Sequence, residues 1–305
     1  MNSSRRDFLK AGLVIASGLT GGLGRALAAD STPKPPRPVL VAVREGSRSA
    51  MLDRALAELG GIGAFVRPGQ TVVIKPNIGW DVPPERGANT HPELVARLAI
   101  LCREAGAKSV SIFDHTCDQW QRCYATSGME QAAKDSGATL VTGDDEDMYR
   151  EVAIPRGVSL RSAKVHRLVL DSDVYLNVPV LKHHSGSLMT GAMKNLMGVV
   201  WDRRIYHSTD LHQCIADFCT VRPPTLNIMD AFHPMVRNGP RGRAEADVVE
   251  LRSLLASTDI VAIDAAASRM LGHDPGAIRH IPLAAALGVG VMDLEAVDIR
   301  RHKLT

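Results

Sequence analysis

Hydrophobic and polar residues alternate along the chain in blocks that favour strands followed by helices. Apolar runs of about four to eight residues are typical of buried strands, and longer segments with apolar residues every three to four positions are typical of amphipathic helices. This alternation predicts an α/β fold with a largely parallel sheet and helices on both faces, as one large domain or two closely packed lobes. The predicted strands are 39–43, 70–74, 110–113, 139–141, 174–181, 226–229 and 297–299, and the predicted helices are 50–59, 92–105, 129–136, 211–220 and 260–271.

The first 29 residues differ from the rest of the chain. Arg5 and Arg6, followed by Lys10, precede an apolar run rich in Gly and Ala that ends in the small residues 26–28. This pattern is typical of a twin-arginine signal peptide, which is read by the Tat translocase. The apolar run is shorter than the roughly 20 residues that span a bilayer, so we expect no stable membrane span. A Pro-rich tether at 30–38 then leads to an α/β domain at 39–305, and we expect a folded, periplasmic protein.

The charge of the chain argues against some partners. The 305 residues include 36 Lys and Arg and 33 Asp and Glu, and the first 29 residues hold four of these bases and one of these acids. The remainder is therefore nearly neutral, and only 4% of the chain is aromatic. Nucleic-acid binding requires a basic surface or a stacking platform, and we predict no nucleic-acid partner.

The five cysteines do not have the spacing of a cluster or zinc motif. No CxxCxxC run is present, so no built-in ferredoxin cluster is predicted. Cys102 lies in an apolar pattern and is expected to be buried. Two pairs, Cys117 with Cys123 and Cys214 with Cys219, are close enough in sequence to form disulfides after export.

Polar, chemically capable side chains follow several of the predicted strands. In open α/β sheets, ligands bind outside the carboxyl ends of the strands. If the strands are parallel neighbours, these side chains converge on one edge of the sheet, although any strand must end in polar loop residues. The groups are Lys75 with Asn77, Asp114 with His115, Lys182 with His183 and His184, and Asp230 with His233.

The segment 173–200 is the strongest candidate for a site. Its apolar run is predicted to deliver Lys182, His183 and His184 into a loop with Gly186 and Gly191, where glycine lets the backbone approach a ligand closely. An ordinary solvated loop is the alternative. In the functional interpretation, the binding groups for a small anionic substrate are Lys75, Asn77, Lys182 and Asn195, and the catalytic groups are Lys194, His183, His184 and His207.

A cofactor is part of this interpretation, but its identity is unknown. Lys194, if desolvated, can act as a base or bond covalently to an organic cofactor. A metal ion is the other option, because imidazole and carboxylate groups are common ligands. The candidate metal ligands are His183, His184, His207, Asp114 and Asp230.

Some polar residues have structural interpretations. Asp259 is expected to cap the following helix. Asp264 lies on an apolar helix, where a functional acid and a hydrogen-bonded structural acid are equally good interpretations. His166, His273 and His302 are expected at the surface.

Six features of the chain occur together in one known family. They are IKPN at 74–77, THPELV at 90–95, the strand ending in Asp114, DVYLNVPVLKHH at 173–184, TGAMKNLMGVV at 190–200 and STDIVAIDA at 257–265. By these motifs the chain resembles the DUF362 domain family from about Val72 to Arg300. The resemblance implies a fold but no assigned reaction. Many members of that family carry a ferredoxin-like cluster module, whereas this chain has no matching cysteines.

A more distant likeness is to the lactate racemase family that holds a nickel pincer nucleotide. In members of that family a strand leads into a His, followed by a Gly-containing loop, a lysine that holds the cofactor and a further His. Either His183 or His184, with Lys194 and His207, would take these places here. The intervening motif differs, so the likeness concerns architecture more than reaction.

The sequence therefore predicts an exported, cofactor-dependent enzyme that uses His and Lys for proton transfer or redox chemistry on a small anion. Racemase, isomerase and oxidoreductase activities all fit this interpretation. The alternatives are a periplasmic protein that binds a small acid or a metal without catalysis, and a redox partner of an iron–sulfur protein.

Overall fold

The computed structural model describes residues 37–305. The predictions for the signal peptide, and for the tether up to residue 36, lie outside the described residues. The strands are β1 (Val39–Arg44), β2 (Thr71–Pro76), β3 (Ser109–Ile112), β4 (Thr139–Leu140), β5 (Tyr149–Ala153), β6 (Ser162–His166), β7 (Val174–Val178), β8 (Val180–His184), β9 (Leu188–Thr190), β10 (Leu226–Met235), β11 (Ser253–Ser257) and β12 (Asp298–Lys303). The α-helices are α1 (Arg48–Glu58), α2 (Pro92–Glu104), α3 (Trp120–Thr126), α4 (Met129–Ser136), α5 (Arg167–Asp171), α6 (Ala192–Asn195), α7 (Arg204–Ser208), α8 (Leu211–Phe218), α9 (Ile260–Met270) and α10 (His280–Ala286).

A mostly parallel sheet forms the centre of the fold. Its strand order is β12-β1-β11-β10-β7-β2-β3-β4, and only β11 runs antiparallel to its neighbours. A hairpin of β8 and β9 extends the sheet beyond β7, through pairing of β8 with β10. The strands β5 and β6 form a separate two-stranded sheet.

The sheet has a hydrophobic core on each face. Val72 and Ile74 of β2 belong to one core, and Val73 between them belongs to the other, because successive side chains of a strand point to opposite faces. Helices α1, α2 and α4 cover the first face, and α6, α8, α9 and α10 cover the second. The predicted α/β class and the helices on both faces are confirmed. Residues 37–305 form one compact unit.

Several predicted boundaries are confirmed to within a few residues, because local capping groups are present. The Nδ1 atom of His91 accepts a hydrogen bond from the backbone N–H of Glu93 at the start of α2. Asp259 Oδ1 accepts from the N–H groups of Val261 and Ala262 at the start of α9, as predicted.

Two strand predictions need correction. The apolar run 174–181 is two strands, because Pro179 separates β7 from β8, and β8 continues through His184 instead of ending before Lys182. The strand predicted to end at Met229 continues through Asp230 to Met235. These residues therefore lie on strands and not in loops.

His166 is a further correction, since its side chain is fully buried and not at the surface. Its ring stacks on Phe113 with the centroids 4.2 Å apart and caps the start of α5 through Nδ1. All five cysteines are free, so neither of the two possible disulfides is present, and Cys102 is buried as predicted. Among residues 37–305, no helix is both long and apolar enough to cross a membrane.

Candidate functional site

A cavity of about 340 Å³ lies where β2 and the segment after β3 meet the β8–β9 hairpin and α6. Eight of the predicted site residues line it, together with ten further residues. The predicted residues are Lys75, Asn77, Asp114, Lys182, His184, Lys194, Asn195 and His207; the further ones include Trp80, Cys117, Met197 and Arg203, which the sequence interpretation did not place in the site, and His115, which it grouped with Asp114.

The floor of the cavity contains a buried ion pair. Lys75 Nζ lies 2.9 Å from Asp114 Oδ1, and the two side chains are 1% and 3% exposed. Lys75 also donates to Asn195 Oδ1 at 2.9 Å, and Asp114 Oδ2 accepts from the backbone N–H of Ile78 at 2.7 Å. Burial lowers the pKa of Lys75, and the charge of Asp114 partly offsets this effect.

Gly198 allows this ion pair to lie directly against the backbone. A Cβ atom at Gly198 would overlap both Asp114 Oδ1 and Lys75 Nζ. The carbonyl of Gly198 also accepts from the backbone N–H of His115, which ties the 3₁₀ turn Leu196–Val199 to the end of β3. A larger residue would therefore displace the ion pair.

A chain of asparagine amides crosses the sheet beneath the cavity. Asn195 Nδ2 donates to Asn177 Oδ1 at 2.8 Å, Asn177 Nδ2 donates to Asn227 Oδ1 at 2.8 Å, and Asn227 Nδ2 donates to the carbonyl of Ser257 at 3.3 Å. Asn177 and Asn227 were not predicted as site residues. The sequence feature that could have identified them is a polar amide in the middle of an otherwise apolar strand, because a buried amide needs a hydrogen-bond partner.

Lys182 reaches the cavity from β8. Its Nζ donates to Asn77 Oδ1 at 3.0 Å and to the carbonyl of Ala88. Both partners are neutral, so burial is not offset by a carboxylate in contact, and it lowers the pKa of Lys182 to about 7.

Lys194 is the cavity lysine with the fewest partners. Its Nζ lies 3.6 Å from Met197 Sδ and has no oxygen acceptor among the described residues. Burial lowers the pKa of Lys194 to about 8. An amine with a pKa lowered toward neutrality and no strong acceptor is available to a ligand.

The position of Lys194 depends on a buried carboxylate. Asp264 on α9 accepts from the backbone N–H groups of Ala192 at 2.6 Å and Met193 at 3.0 Å, at the start of the helix that carries Lys194. Burial raises the pKa of Asp264 to about 7. Gly191 is required beside it, because a Cβ atom there would overlap the carboxylate. The structural interpretation of Asp264 is the one that its contacts favour.

Three histidines face the cavity. Nδ1 of His184 accepts from the backbone N–H of Gly186 at 3.0 Å, which leaves the proton of the neutral ring on Nε2. Burial, and then the charges of Lys194 and Lys182, lower the pKa of His184 to about 2. Burial also lowers the pKa of His115 and of His207. Neutral imidazoles are therefore expected on this wall.

Arg203 adds a fourth cation. Its guanidinium donates to the carbonyls of His115 at 2.8 Å and Thr116 at 2.7 Å, and lies 3.7 Å from Cys117 Sγ. These partners hold the side chain in place without neutralising it. Asp114 is the one carboxylate on the cavity wall, where four Lys and Arg side chains are present.

His183 and Asp230 do not line the cavity. His183 lies between Lys182 and His184 on β8, so strand alternation turns it away, and its Nδ1 accepts from the N–H of Gly239 at 3.1 Å. Asp230 is 3% exposed and pairs with Arg48 at 3.3 Å. Both groups therefore have structural partners.

The predicted metal ligands do not assemble. Within residues 37–305, no group of three or more His, Cys, Asp or Glu side chains is arranged to hold a metal ion. Of the five predicted ligands, His184, His207 and Asp114 line the cavity, where Asp114 is already paired with Lys75. The donor set thus does not fit a metal centre.

Fold and site together define an α/β protein with a cationic cavity near the carboxyl ends of its parallel strands. The family model described as "Domain of unknown function (DUF362)" matches residues 72–269, and the chain belongs to this family. A thylakoid-associated protein of Synechocystis sp. is 28% identical over 258 residues, which are 80% of this chain and 76% of that protein.

Two solved structures are similar to the chain. The lactate racemase apoprotein from Thermoanaerobacterium thermosaccharolyticum has a TM-score of 0.49 at 10% identity, covering 75% of this chain and 56% of that one. A structural genomics target from Thermotoga maritima has a TM-score of 0.45 at 9% identity, covering 79% of this chain and 60% of that one. The chain thus spans less than two thirds of either solved protein.

Proposed function

We propose that the protein is an exported enzyme that binds a small anionic substrate in the cationic cavity and uses Lys194 to move a proton. The observation that carries this proposal is the Lys194 amine, which faces the cavity with no oxygen acceptor among the described residues. The pKa of Lys194, lowered to about 8 by burial, makes the free amine accessible near neutral pH.

The charge balance of the cavity favours a substrate with two negative charges. Lys75 is paired with Asp114, whereas Lys182, Lys194 and Arg203 have no carboxylate of residues 37–305 within 4.0 Å. The pKa values of Lys182 and Lys194, about 7 and about 8, lie close to neutrality. A dianion supplies the missing countercharge to Lys182 and Arg203, and Lys194 is left for proton transfer.

The other cavity residues have roles that follow from their contacts. Lys182 and Arg203 bind the anionic groups, and the amide of Asn77 orients them. His184 is neutral and presents an N–H on Nε2, which donates to a substrate oxygen. His207 is exposed at the mouth of the cavity, where it exchanges protons with solvent.

The cavity favours a covalently attached organic group over a metal ion. The donor set does not support a metal centre, and no step of the proposal passes through one. The Lys194 amine suits covalent attachment of a carbonyl compound, because attack requires an unprotonated and accessible nitrogen. Intact mass spectrometry of protein from its native compartment, before and after borohydride reduction, tests for such an adduct.

The proposal is tested by ligand binding and proton exchange in the same set of variants. Titration calorimetry with malonate and acetate measures whether the dianion binds more tightly, and proton NMR in D₂O measures exchange of the carbon-bound protons of each bound acid. We expect Lys194→Met to abolish exchange and Lys182→Met to weaken binding. Lys134→Met, which removes an exposed lysine from α4, is the matched control. Exchange that persists in Lys194→Met contradicts the catalytic role.

A protein that binds a small acid without chemistry is the second candidate. Lys182 and Arg203, held by backbone and amide partners, form an anion site that needs no base. Malonate binding without proton exchange in any screened acid favours this candidate. A redox partner of an iron–sulfur protein has less support, since four of the five cysteines are buried.

Export is proposed from the pattern of residues 1–29. A relative described as thylakoid-associated is consistent with a protein that works at or beyond a membrane. Replacing Arg5 and Arg6 together by Lys should hold the protein in the cytoplasm, and fractionation with intact mass measurement checks both location and cleavage. An unchanged periplasmic yield contradicts recognition by the Tat translocase.

A further inference from the structure

A second cavity, here called the edge groove, lies over β12, β1 and β11 on the face that α9 covers. Its volume is about 510 Å³, and it shares no lining residue with the candidate functional site. The groove exists because α9 and the 3₁₀ turn Leu294–Ala296 cover only part of this corner of the sheet.

One end of the edge groove is apolar. Leu40 of β1 lies opposite Ile299 of β12, and Ala42 lies opposite Leu255 of β11. Met270 of α9 forms a wall of the same groove. Ala42 lies in the middle of this surface, and its small side chain leaves the groove open there.

The other end of the edge groove is cationic. On the same face of the sheet, Arg301 lies opposite Ala42, and Lys303 lies opposite Arg44, while Arg269 projects from α9. These four basic side chains are exposed, and none forms a salt bridge with any residue of 37–305.

The neighbouring acids do not compensate these charges. Asp298 pairs with Arg300, and Glu58 pairs with Arg54 and with His302. The guanidinium of Arg300 also donates to the carbonyl of Glu58 on α1, so the acidic contacts of β12 lie toward the α1 face. Strand alternation thus separates a paired charge network on one face from unpaired cations on the other.

From this arrangement we propose that the edge groove binds a fatty acid, with its alkyl chain over Ala42, Met270 and Ile299 and its carboxylate among Arg44, Arg301 and Lys303. The complementarity has two parts, because an apolar floor and a cluster of cations meet within one groove. A small acid fills only the cationic end. An uncharged chain leaves the cations without a partner.

A single fatty acid molecule is a better match for the edge groove than a bilayer surface is. The accessible floor consists of half-buried side chains, among them Ala42, Ile299 and Met270, and Leu40 and Leu255 beneath them are only 1% and 3% exposed. A bilayer would need apolar side chains that project outward, and the exposed large hydrophobic residues of the described chain all lie elsewhere. They are Val158, Leu188, Ile205, Val236 and Val249.

The proposal is tested by titration calorimetry of the full chain with dodecanoate below its micelle concentration. Butyrate and dodecyltrimethylammonium serve as probes that lack the long tail or the anionic head. We expect saturable binding of dodecanoate at the edge groove with one equivalent per chain, no binding of dodecyltrimethylammonium, and no butyrate binding that replacement of Arg44 and Arg301 removes. Dodecanoate that does not bind, or that binds no better than dodecyltrimethylammonium, overturns the proposal.

Two kinds of variant locate the binding. Ala42→Phe fills the groove and should abolish binding, and Arg44→Gln with Arg301→Gln should weaken it about tenfold, given the modest strength of exposed ion pairs. Arg161→Gln, which removes an exposed arginine next to β6, is the matched control and should bind like the unaltered protein. If Ala42→Phe does not fold, the arginine variant alone decides, and unweakened binding in it overturns the proposal.

Vesicles distinguish the source of the ligand. Sedimentation with phosphatidylglycerol vesicles should show no binding that depends on Arg44 and Arg301. Vesicle binding that the double arginine variant abolishes, without binding of free dodecanoate, overturns the proposal in favour of a membrane surface.

Discussion

At the scale of single residues, charge burial dominates the candidate site. Lys75 and Asp114 are almost completely shielded from water, and each depends on the other for countercharge. Removing one member of such a pair leaves the other buried without a partner, which costs more than the pair contributes when intact. The pair therefore holds β2 and the end of β3 in register beneath the cavity.

Asp114→Asn should lower the free energy of unfolding by about 3 kcal/mol, because a buried ammonium loses its carboxylate. The measurement is urea denaturation at neutral pH. Asp171→Asn is the matched control, since its pair with Arg150 is more than half exposed on both sides and should contribute less than about 1 kcal/mol. Equal losses in the two variants would contradict the importance of burial for this pair.

Lys182 should make the stability of the protein depend on pH. Its pKa is about 7 in the folded protein, against an ordinary value of 10.5 in the unfolded chain, so between these values the unfolded chain binds more protons. Rising pH then favours the folded state, and below about pH 7 the effect is constant. The unfolding free energy of Lys182→Met relative to the unaltered protein should therefore fall from neutral to alkaline pH.

Denaturation of both proteins near pH 6.5 and near pH 9.5 checks this expectation. The first value lies about half a unit below the folded pKa of Lys182 and the second about one unit below its unfolded pKa, so together they cover most of the pH range in which stability changes. The difference between the two proteins isolates Lys182 from the buried Tyr and Cys groups, whose pKa values are raised. A difference that does not change with pH would show that Lys182 stays protonated in the folded protein.

At the scale of secondary-structure elements, a short helix carries the reactive amine. Helix α6 has four residues and cannot be stable alone, so its orientation depends on the Asp264 carboxylate that binds its first N–H groups. This contact joins α9 to the wall of the cavity. The buried position of Asp264 on α9 thus serves an element 71 residues away in sequence.

Asp264→Ala should lower both stability and affinity for a small anion, because two buried N–H groups lose their acceptor and Lys194 loses its fixed position. The stability loss should be about 1 to 3 kcal/mol. Asp259→Ala is the matched control, since it removes a comparable cap from α9 without touching α6. Calorimetry with malonate should show weaker binding in the Asp264 variant alone; equal affinity in both would contradict the positioning role.

The same scale shows which features the sequence could predict. Caps at His91 and Asp259 were predictable, because they need only contacts within about three residues. The course of the chain after β7 was not predicted, although Pro179 indicated that the strand is interrupted there. Once β8 continues through His184, alternation alone decides that His183 faces away from Lys182. The sequence interpretation ended this strand too early, and as a result it placed His183 in the site.

At the scale of the whole molecule, the parallel sheet brings the cavity together. Lys75 and Asn195 are 120 residues apart and in contact, and Asp114 joins them from a third segment. The sequence predicted this convergence from strands that end in polar residues. It did not predict Asn177, Asn227 or Arg203, because their roles depend on pairing between distant strands and loops.

Residues 37–305 form one compact unit, so they should unfold in one cooperative step. Circular dichroism and tryptophan fluorescence should give coincident urea transitions, because Trp120 and Trp201 report on different parts of the fold. A variant with Trp120→Phe and Trp80→Phe leaves Trp201 as the single probe. Two separated transitions would restore the alternative of two closely packed lobes.

The row of asparagine amides determines which end of the Asn195 amide faces the cavity. The carbonyls of Ser257, Ala192 and Lys75 can only accept, so each fixes the NH₂ end of the amide that it binds. The amides therefore all have one orientation, and Asn195 presents its oxygen to Lys75 and Asn77. The carbonyls of Lys75, Ala192 and Ser257 together thus determine that the cavity receives an acceptor from Asn195 and not a donor. Each amide donates to the next, so turning one of them would place two donors or two acceptors opposite each other. Reversing one amide therefore requires reversing all three.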